Sequence, residues 1–297
     1  MIKTYLKLRN QLKEALFFFK KSTLKKTLFP EIINIETSIL CNANCITCPH
    51  KEIARTVNMD FSLFKKIVDE IQNYNVKEIH PFNYGEPFLY KDFIKALKYL
   101  RQKSPKSEIF IYSNGAAMTN EQMNEVITQN LLDKVNFSLD AANSDTYKTI
   151  RGLDYEKTLE KINHFLELNK QNNNKIKVSV SFVITEQNKK QISQFKKIWK
   201  NKADIHLGVD DGREGKPFIN KSSNKPCSWP FNRIAILTNG DVVICCIDAK
   251  GKLVLGNIKN NTIKEIWDSR QYENIRQLHL SKNKNQIPLC SNCFVRY

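Results

Sequence analysis

Residues 32–48 read IINIETSILCNANCITC, and the interpretation of the whole chain starts from this stretch. The apolar run Ile32–Thr37 has the composition of a buried β-strand. The loop that follows carries Cys41, Cys45 and Cys48 in a C-x3-C-x2-C pattern. A strand followed directly by three thiols predicts a ligand site at the carboxyl end of that strand.

Strands and helices alternate from this point to about residue 208. Further strands are predicted at Glu78–Phe82, Glu108–Tyr112, Lys134–Leu139, Lys177–Ile184 and Asp204–Leu207, and helices at about 60–73, 91–103, 119–130, 155–170 and 188–200. This alternation is typical of βα units with a parallel sheet, and six strands are too few for the usual closed barrel of eight. We therefore expect an α/β fold, a partial, open (βα)6 barrel of the TIM type, with its active groups at the carboxyl ends of the strands.

Segments on either side of this barrel, which we place at residues 30–210, differ from it in pattern. Residues 1–29 have apolar positions at helical spacing among many lysines, which predicts an amphipathic basic helix. That helix either packs on the domain or touches a membrane surface. Residues 211–297 contain an Asn-Gly turn between two apolar runs, which predicts a small β-hairpin over about 231–246, followed by a helix at about 262–278.

Composition excludes several classes of protein. The chain has 297 residues, and 41% of them are hydrophobic, which is enough for a core. The net charge of +17 comes from 38 Lys against 9 Arg, a general lysine bias rather than a phosphate-gripping surface, so no nucleic-acid partner is expected. Because no apolar stretch has the length of a membrane span or a signal peptide, we expect a cytoplasmic protein, with a candidate contact to the inner membrane face through the N-terminal helix.

Three thiolates on one loop are suited to an iron–sulfur cluster. They can hold three irons of a [4Fe–4S] cluster, which leaves the fourth iron open to a ligand. The alternative is a structural zinc site, which needs four ligands and would recruit His50 as the fourth. An iron–sulfur or zinc scaffold, or an RNA-binding module, is the corresponding non-enzyme hypothesis.

The chain resembles the radical S-adenosylmethionine (SAM) enzymes in more than this triad. Short polar motifs follow successive predicted strands in the order that is typical of the family. They are Asn83-Tyr84-Gly85-Glu86-Pro87, Ser113-Asn114-Gly115, Ser138-Leu139-Asp140-Ala141 and Tyr147-Lys148-Thr149-Ile150-Arg151-Gly152. The resemblance implies that Gly85 and Glu86 hold the SAM amino group, that Ser113, Asn114 and Ser138 make polar contacts, and that Arg151 pairs with the SAM carboxylate. Thr47 departs from the family, many members of which carry an aromatic residue beside the third cysteine.

This resemblance implies a reaction class and its cofactors. A SAM-binding [4Fe–4S] cluster on Cys41, Cys45 and Cys48 cleaves SAM reductively, and the resulting 5′-deoxyadenosyl radical abstracts a hydrogen atom from the substrate. The protein supplies orientation and solvent exclusion. Such an enzyme needs an electron donor of the flavodoxin or ferredoxin type.

Five cysteines remain near the C-terminus. Cys227 and Cys245 flank the predicted hairpin turn, and Cys290 and Cys293 follow later; two such pairs suffice for a further cluster or a zinc ion. Next to a radical SAM core, this arrangement resembles the shortened SPASM/twitch extension, which implies an auxiliary [4Fe–4S] cluster on these four. Cys246 is an alternative to Cys245 as ligand, or else a thiol that donates a hydrogen atom to the substrate.

Substrate class is the least constrained expectation. The shortened extension resembles that of enzymes that dehydrogenate or epimerise carbohydrates, and the lysine-rich composition suits a nucleotide- or lipid-linked sugar. A peptide- or protein-modifying maturase is the alternative. With Cys246 more simply explained as a small buried residue, oxidation is favoured over epimerisation.

Overall fold

The structure is a computed structural model, and it describes residues 24–209, 226–291 and 293. Most of the predicted N-terminal helix lies outside these ranges, so its contact with a membrane stays a prediction. None of the helices within the described ranges has both the length and the apolar character that crossing a membrane requires.

Helices and strands alternate as far as residue 209, as the sequence predicts. This part contains β1 (Ile32–Ile35), α1 (Phe61–Ile71), β2 (Glu78–His80), α2 (Phe93–Lys103), β3 (Glu108–Ser113), α3 (Asn120–Thr128), β4 (Lys134–Ser138), α4 (Ser144–Arg151), α5 (Tyr155–Gln171), β5 (Lys177–Ile184), α6 (Ile192–Trp199) and β6 (Asp204–Val209). The C-terminal part contains α7 (Trp229–Asn232), β7 (Arg233–Ile236), β8 (Asp241–Val243), β9 (Val254–Asn257), α8 (Ile263–Trp267), α9 (Arg270–Leu280) and α10 (Pro288–Ser291).

The described strands form one nine-stranded sheet in the order β6-β5-β4-β3-β2-β1-β7-β8-β9. Strands β1 to β6 are parallel to their neighbours, β7 joins β1 in parallel, and β8 and β9 are antiparallel additions. The order runs from β6 to β9 without closing on itself, so the predicted partial, open barrel is confirmed. The C-terminal hairpin continues the barrel sheet through the β1–β7 pair.

The two faces of this sheet differ in chemistry. Ile33, Ile109 and Ile111 belong to the main core, together with helix residues such as Phe64 and Phe93, all fully buried. Burying side chains of this size contributes about 1.5–3 kcal/mol each. Since side chains alternate along a strand, the other face carries a polar and aromatic set, namely Asn34, His80, Phe110, Tyr112, Asn136 and Ser138. This inner face lies on the side of the sheet away from the helices.

Several elements differ from the sequence-based expectation. Helix α4 was not predicted, because eight residues are too few to show helical periodicity, although Asn143 caps its start and Gly152 ends it in the left-handed conformation. The single helix expected at 262–278 is two helices, since Ser269 caps a new helix after α8 ends. The hairpin strand β8 stops at Val243 instead of Cys246, and β9 was not predicted.

Candidate active site

The cysteine loop after β1 is anchored on the end of α4. The backbone N–H of Asn44 donates to the carbonyl of Arg151 at 2.8 Å, and that of Ile46 donates to Ile150 at 3.0 Å. A Cβ atom on Gly152 would lie 2.9 Å from Cβ of Asn44, so the absence of a side chain there lets the two segments meet. The loop that carries the three thiols is therefore held in place by protein contacts.

Burial keeps the thiol of Cys41 protonated when no metal is bound. It raises the pKa of Cys41 to about 11, and the nearby Glu86, Cys45 and Cys48 raise it further, against the N–H of Ala43, which lies 3.4 Å from the Cys41 sulfur. Within the described ranges, no three His, Cys, Asp or Glu side chains converge closely enough to hold a single metal ion. A cubane cluster is larger than one ion and holds its thiolates farther apart, and binding it would displace the thiol protons.

His50 is not placed as a fourth zinc ligand. Its Nε2 atom lies 2.5 Å from the carbonyl oxygen of Ile39, so this ring nitrogen is engaged within the loop itself. The three cysteines therefore form a donor set that suits a cluster with one open iron better than a four-ligand zinc site.

Glu86 joins the loops that follow β2 and β3. Its side chain is 1% exposed and accepts from Ser113 Oγ at 2.8 Å, from the Asn114 backbone N–H at 2.7 Å and from that of Phe88 at 3.3 Å. Burial raises the pKa of Glu86 to about 7, against these hydrogen bonds and the charge of Arg151, which lower it. The carboxylate thus holds the ends of two strands together.

Gly85 makes the close approach that the sequence predicts, but to the protein's own backbone. Its φ of +82° is left-handed, and a Cβ atom would lie 2.4 Å from the carbonyl oxygen of Ser38. The next residue, Glu86, donates its backbone N–H to Leu40 at 2.7 Å. This contact fixes the segment Gly85-Glu86 against the chain that leads into the cysteine loop.

Asn114 extends this arrangement to the thiols. Its Nδ2 atom donates to Oδ1 of Asn42 at 2.8 Å and lies 4.0 Å from the sulfur of Cys41. Ser138, the remaining predicted polar contact, ends β4 in register with Ser181 of β5 and is half-buried. Both residues lie at the carboxyl edge of the sheet, as expected.

Arg151 lies between the carboxylate of Asp140 and the thiol of Cys45, a predicted cluster ligand. Its Nη2 atom is 2.5 Å from Asp140 Oδ2, and Nη1 donates to the Cys45 sulfur at 3.3 Å. Asp140 was not predicted as a site residue, although it stands in the quoted Ser-Leu-Asp-Ala motif. It has a φ of 60° and accepts from the Val183 N–H at 2.6 Å, so its carboxylate is fixed for Arg151.

The C-terminal cysteines meet in one cavity. Its lining includes all four predicted ligands, Cys227, Cys245, Cys290 and Cys293, and does not include Cys246. Burial raises the pKa of Cys227 to about 11 and that of Cys290 to about 12, and the other thiols of the group add to both. Four thiols facing one cavity, with Cys290 buried and the other three half-buried, fit a cluster whose irons are all ligated by the protein.

Cys245 and Cys246 lie beyond the hairpin strand that was predicted to contain them. Because β8 ends at Val243, Cys245 and Cys246 lie in a turn, and the alternation of a strand does not decide which of them faces the cavity. Cys246 remains close enough to oppose ionisation of Cys245, whose pKa is raised mainly by burial.

Two polar side chains of this cavity were not predicted from the sequence. His279 and Lys284 are 1% and 3% exposed, and both line the cavity with the cysteines. Desolvation lowers the pKa of His279 to about 4, and the charge of Lys284 lowers it further. They precede Cys290 by eleven and six residues, and nothing in their spacing marks them as site residues.

Comparison with known families agrees with this geometry. The radical SAM superfamily model matches residues 35–197, over half of the chain, and the SPASM iron–sulfur cluster-binding domain model matches residues 227–294. The chain therefore belongs to the radical SAM superfamily. It is a radical SAM enzyme whose cofactors are SAM, a SAM-binding [4Fe–4S] cluster and an auxiliary iron–sulfur cluster in the SPASM region.

Individual relatives and solved structures resemble this chain at low sequence identity. The chain is 22% identical over 275 residues to the S-adenosyl-L-methionine-dependent 2-deoxy-scyllo-inosamine dehydrogenase of Niallia circulans, covering 88% of this chain and 92% of the relative. The crystal structure of BtrN in complex with AdoMet and 2-DOIA has a TM-score of 0.64 at 21% identity, covering 91% and 94% of the two chains. Streptococcus suis SuiB bound to its precursor peptide SuiA has a TM-score of 0.69 at 17% identity, covering 92% and 72%. These structures share the fold.

Proposed function

We propose that this enzyme oxidises a carbinol group of a cyclic carbohydrate to a ketone, with the auxiliary cluster as acceptor of one electron. The cavity formed by Cys227, Cys245, Cys290 and Cys293 is the observation that carries this proposal. A cluster with four thiolate ligands has no open iron for a substrate, so its remaining role is to exchange electrons. The dehydrogenase from Niallia circulans, similar over nearly its whole length, supports this choice of reaction.

The SAM site is assigned from the contacts at the carboxyl edge of the sheet. Cys41, Cys45 and Cys48 would hold the SAM-binding cluster, and Arg151 would pair with the SAM carboxylate while Asp140 fixes its guanidinium. Glu86 supports the SAM amino-group site chiefly through the loops that it joins, since its oxygens already accept three hydrogen bonds. When bound, SAM and its cluster supply a carbon-centred oxidant that removes a hydrogen atom from an unactivated C–H bond.

The electron balance of the proposed reaction requires two acceptors. The carbinol carbon loses its hydrogen atom to the SAM-derived oxidant. The substrate then loses the hydroxyl proton to solvent and one electron to the auxiliary cluster, which leaves a C=O bond. A flavodoxin or ferredoxin would reduce the SAM-binding cluster at the start of each turnover, and the auxiliary cluster would return its electron to such a carrier.

The inner face of the barrel has the chemistry of a sugar site. The rings of Phe82, Phe110 and Tyr112 contact one another, with centroids 5.1–6.0 Å apart, and offer an apolar surface to the face of a ring substrate. Next to them, the buried Oδ1 atom of Asn136 has no hydrogen-bond partner among the described residues. A substrate hydroxyl would supply the donor that this oxygen needs.

The test is product analysis with the reconstituted enzyme. Anaerobic turnover with SAM and reduced flavodoxin should convert an aminocyclitol or a sugar nucleotide, from a panel that also contains peptides, to a product lighter by two hydrogens. Deuterium on the carbinol carbon should appear in 5′-deoxyadenosine. Turnover of peptides alone would contradict the carbohydrate proposal. A product of unchanged mass in ordinary water that gains one carbon-bound deuterium in deuterated water would indicate epimerisation. Loss of this deuterium incorporation in Cys246→Ala would establish Cys246 as the hydrogen donor.

A further inference from the structure

We infer that His279 and Lys284 set the reduction potential of the auxiliary cluster, His279 by a hydrogen bond to the cluster and Lys284 by its charge. This inference rests on the proposed function for its purpose, because the cluster has to accept an electron from the substrate. The test is independent of the proposed function, since the reduction potential of the cluster is measured without substrate.

The hydrogen-bond geometry fixes the proton of His279. The backbone N–H of Cys227 donates to Nδ1 at 3.2 Å, so Nδ1 is an acceptor and the ring proton sits on Nε2. The Nε2 atom is buried and has no hydrogen-bond partner among the described residues. Because the ring lines the cavity of the four cysteines, the group that occupies this cavity is the acceptor available to Nε2–H.

Lys284 is the second residue that would affect the reduction potential of the auxiliary cluster. Its side chain is 3% exposed, lines the same cavity, and its Nζ atom donates to the carbonyl of Cys293 at 3.4 Å. The positive charge of Lys284 acts to lower the pKa of both Cys227 and Cys290, although burial outweighs it. The same charge would stabilise an added electron on a cluster that these thiolates hold.

Both effects act in one direction. Hydrogen bonds to the sulfurs, net charge and solvent exposure set the potential of an iron–sulfur cluster. A donor and a cation stabilise the more negative, reduced form, so both residues raise the potential. A raised potential would make this cluster the better electron acceptor of the two.

Matched variants separate the contacts of His279. In a Cys41→Ala, Cys45→Ala, Cys48→Ala background, which keeps only the auxiliary ligands, the midpoint potential is measured by a redox titration followed by electron paramagnetic resonance. His279→Asn keeps an acceptor for the Cys227 N–H and loses the donor, whereas His279→Gln places an amide N–H near the Nε2 position. We expect His279→Asn to lower the ratio of reduced to oxidised cluster at fixed potential about tenfold, which is about 59 mV for one electron. His279→Gln should stay near the parent value.

Lys284→Met should shift the potential in the same direction, with Lys284→Arg as its charge-conserving control. A potential unchanged in both His279→Asn and Lys284→Met, with the cluster retained, would overturn the inference. If the variants do not retain the cluster, hyperfine spectroscopy of the wild-type protein with ¹⁵N-labelled histidine decides the role of His279. A weak nitrogen coupling with an exchangeable proton is expected, while no coupling, or the strong coupling of a directly bound nitrogen, contradicts it.

Discussion

Arg151 donates a hydrogen bond of 3.3 Å to the sulfur of Cys45, so the side chain assigned to the SAM carboxylate also touches a proposed ligand of the SAM-binding cluster. Such a contact stabilises the thiolate form of the ligand. Arg151 presents its donors in a rigid fork, and Asp140 holds that fork from one side. With these proposed roles, the position of SAM and the electronic state of the cluster would depend on the same guanidinium.

Arg151→Ala should weaken SAM binding by about one to two orders of magnitude, because a lost hydrogen bond to a charged group costs about 1.5–3 kcal/mol. Arg151→Lys should restore only part of the affinity, since an ammonium cannot serve Asp140, Cys45 and a carboxylate in the same geometry. Affinity is measured by isothermal titration calorimetry on the reconstituted protein. Arg101→Ala is the control, because Arg101 pairs with Asp133 at the amino end of β4. Equal affinity in wild type and Arg151→Ala would remove the assigned role.

Replacing Cys41, Cys45 and Cys48 together by Ala should abolish formation of 5′-deoxyadenosine and leave the auxiliary cluster in place. Iron should fall from about eight to about four atoms per chain, since each [4Fe–4S] cluster accounts for four. Iron analysis and chromatography of the SAM products measure the two effects. Cleavage of SAM by the triple variant would show that the cluster is held elsewhere.

Cys245→Ala and Cys246→Ala form a matched pair of neighbouring substitutions. Cys245 lines the cavity and Cys246 does not, so the first change should cost the auxiliary cluster and the second should leave about eight irons per chain. The iron content and the visible absorbance of the reconstituted variants give the answer. The reverse outcome would make Cys246 the ligand.

Gly85→Ala should destabilise the protein and disturb the cysteine loop. The left-handed backbone alone costs about 1–2 kcal/mol with a side chain, and the new Cβ atom would lie 2.4 Å from the Ser38 carbonyl oxygen. Gly208→Ala is the control, because its Cβ atom would make an ordinary contact of 3.8 Å with Val183. Urea unfolding and iron content report the two effects, and equal behaviour of the two variants would contradict the argument.

The raised pKa of Glu86 predicts a pH dependence of stability in the metal-free protein. Its pKa is about 7 in the folded chain against 4.5 for a free glutamate, so the folded state holds a proton that the unfolded state has released. The free energy of unfolding should therefore fall as the pH rises from 4.5 to 7, by about 3 kcal/mol for this group.

This dependence is measured as the difference between wild type and Glu86→Gln in urea unfolding at several pH values, which cancels the contribution of the buried Glu36. Glu121→Gln, a substitution of an exposed carboxylate on α3, is the control. Identical pH profiles for wild type and Glu86→Gln would show that the buried carboxylate does not titrate in this range.

Sequence reasoning was strongest where a local pattern determines the structure. Apolar runs and helical periodicity placed all six barrel strands, because each strand end is marked by a turn or a polar motif. It failed at α4, which is held by the cap at Asn143 and by contacts of Arg151 and Ile150 with the cysteine loop. Such contacts join residues far apart in the chain, and they leave no periodic signal.

The contacts within the site could likewise be predicted only in part, because many of them join residues that are far apart in the chain. The quoted motifs predicted Glu86 and Arg151 as site residues, but not that Glu86 accepts from Ser113 and Asn114 within the protein. Asp140 stood in a quoted motif without a role, since its partner became evident only when the fold brought Arg151 next to it. His279 was not predicted for the same reason, because it lines a cavity that several elements form only in the folded chain.

Strand β1 is paired on one side with β2 of the barrel and on the other with β7 of the C-terminal region, with Ile33 opposite both Ile79 and Ile234. Exchanging C-terminal regions between members of the superfamily therefore requires a strand to be grafted into the barrel sheet. Joining the two regions by a flexible linker would not replace that strand. A donor region has to supply a parallel strand with apolar residues at the positions of Ile234 and Ile236, which belong to the main core. A chimera joined one residue out of register would turn these side chains towards the inner face and leave the helix layer without part of its packing.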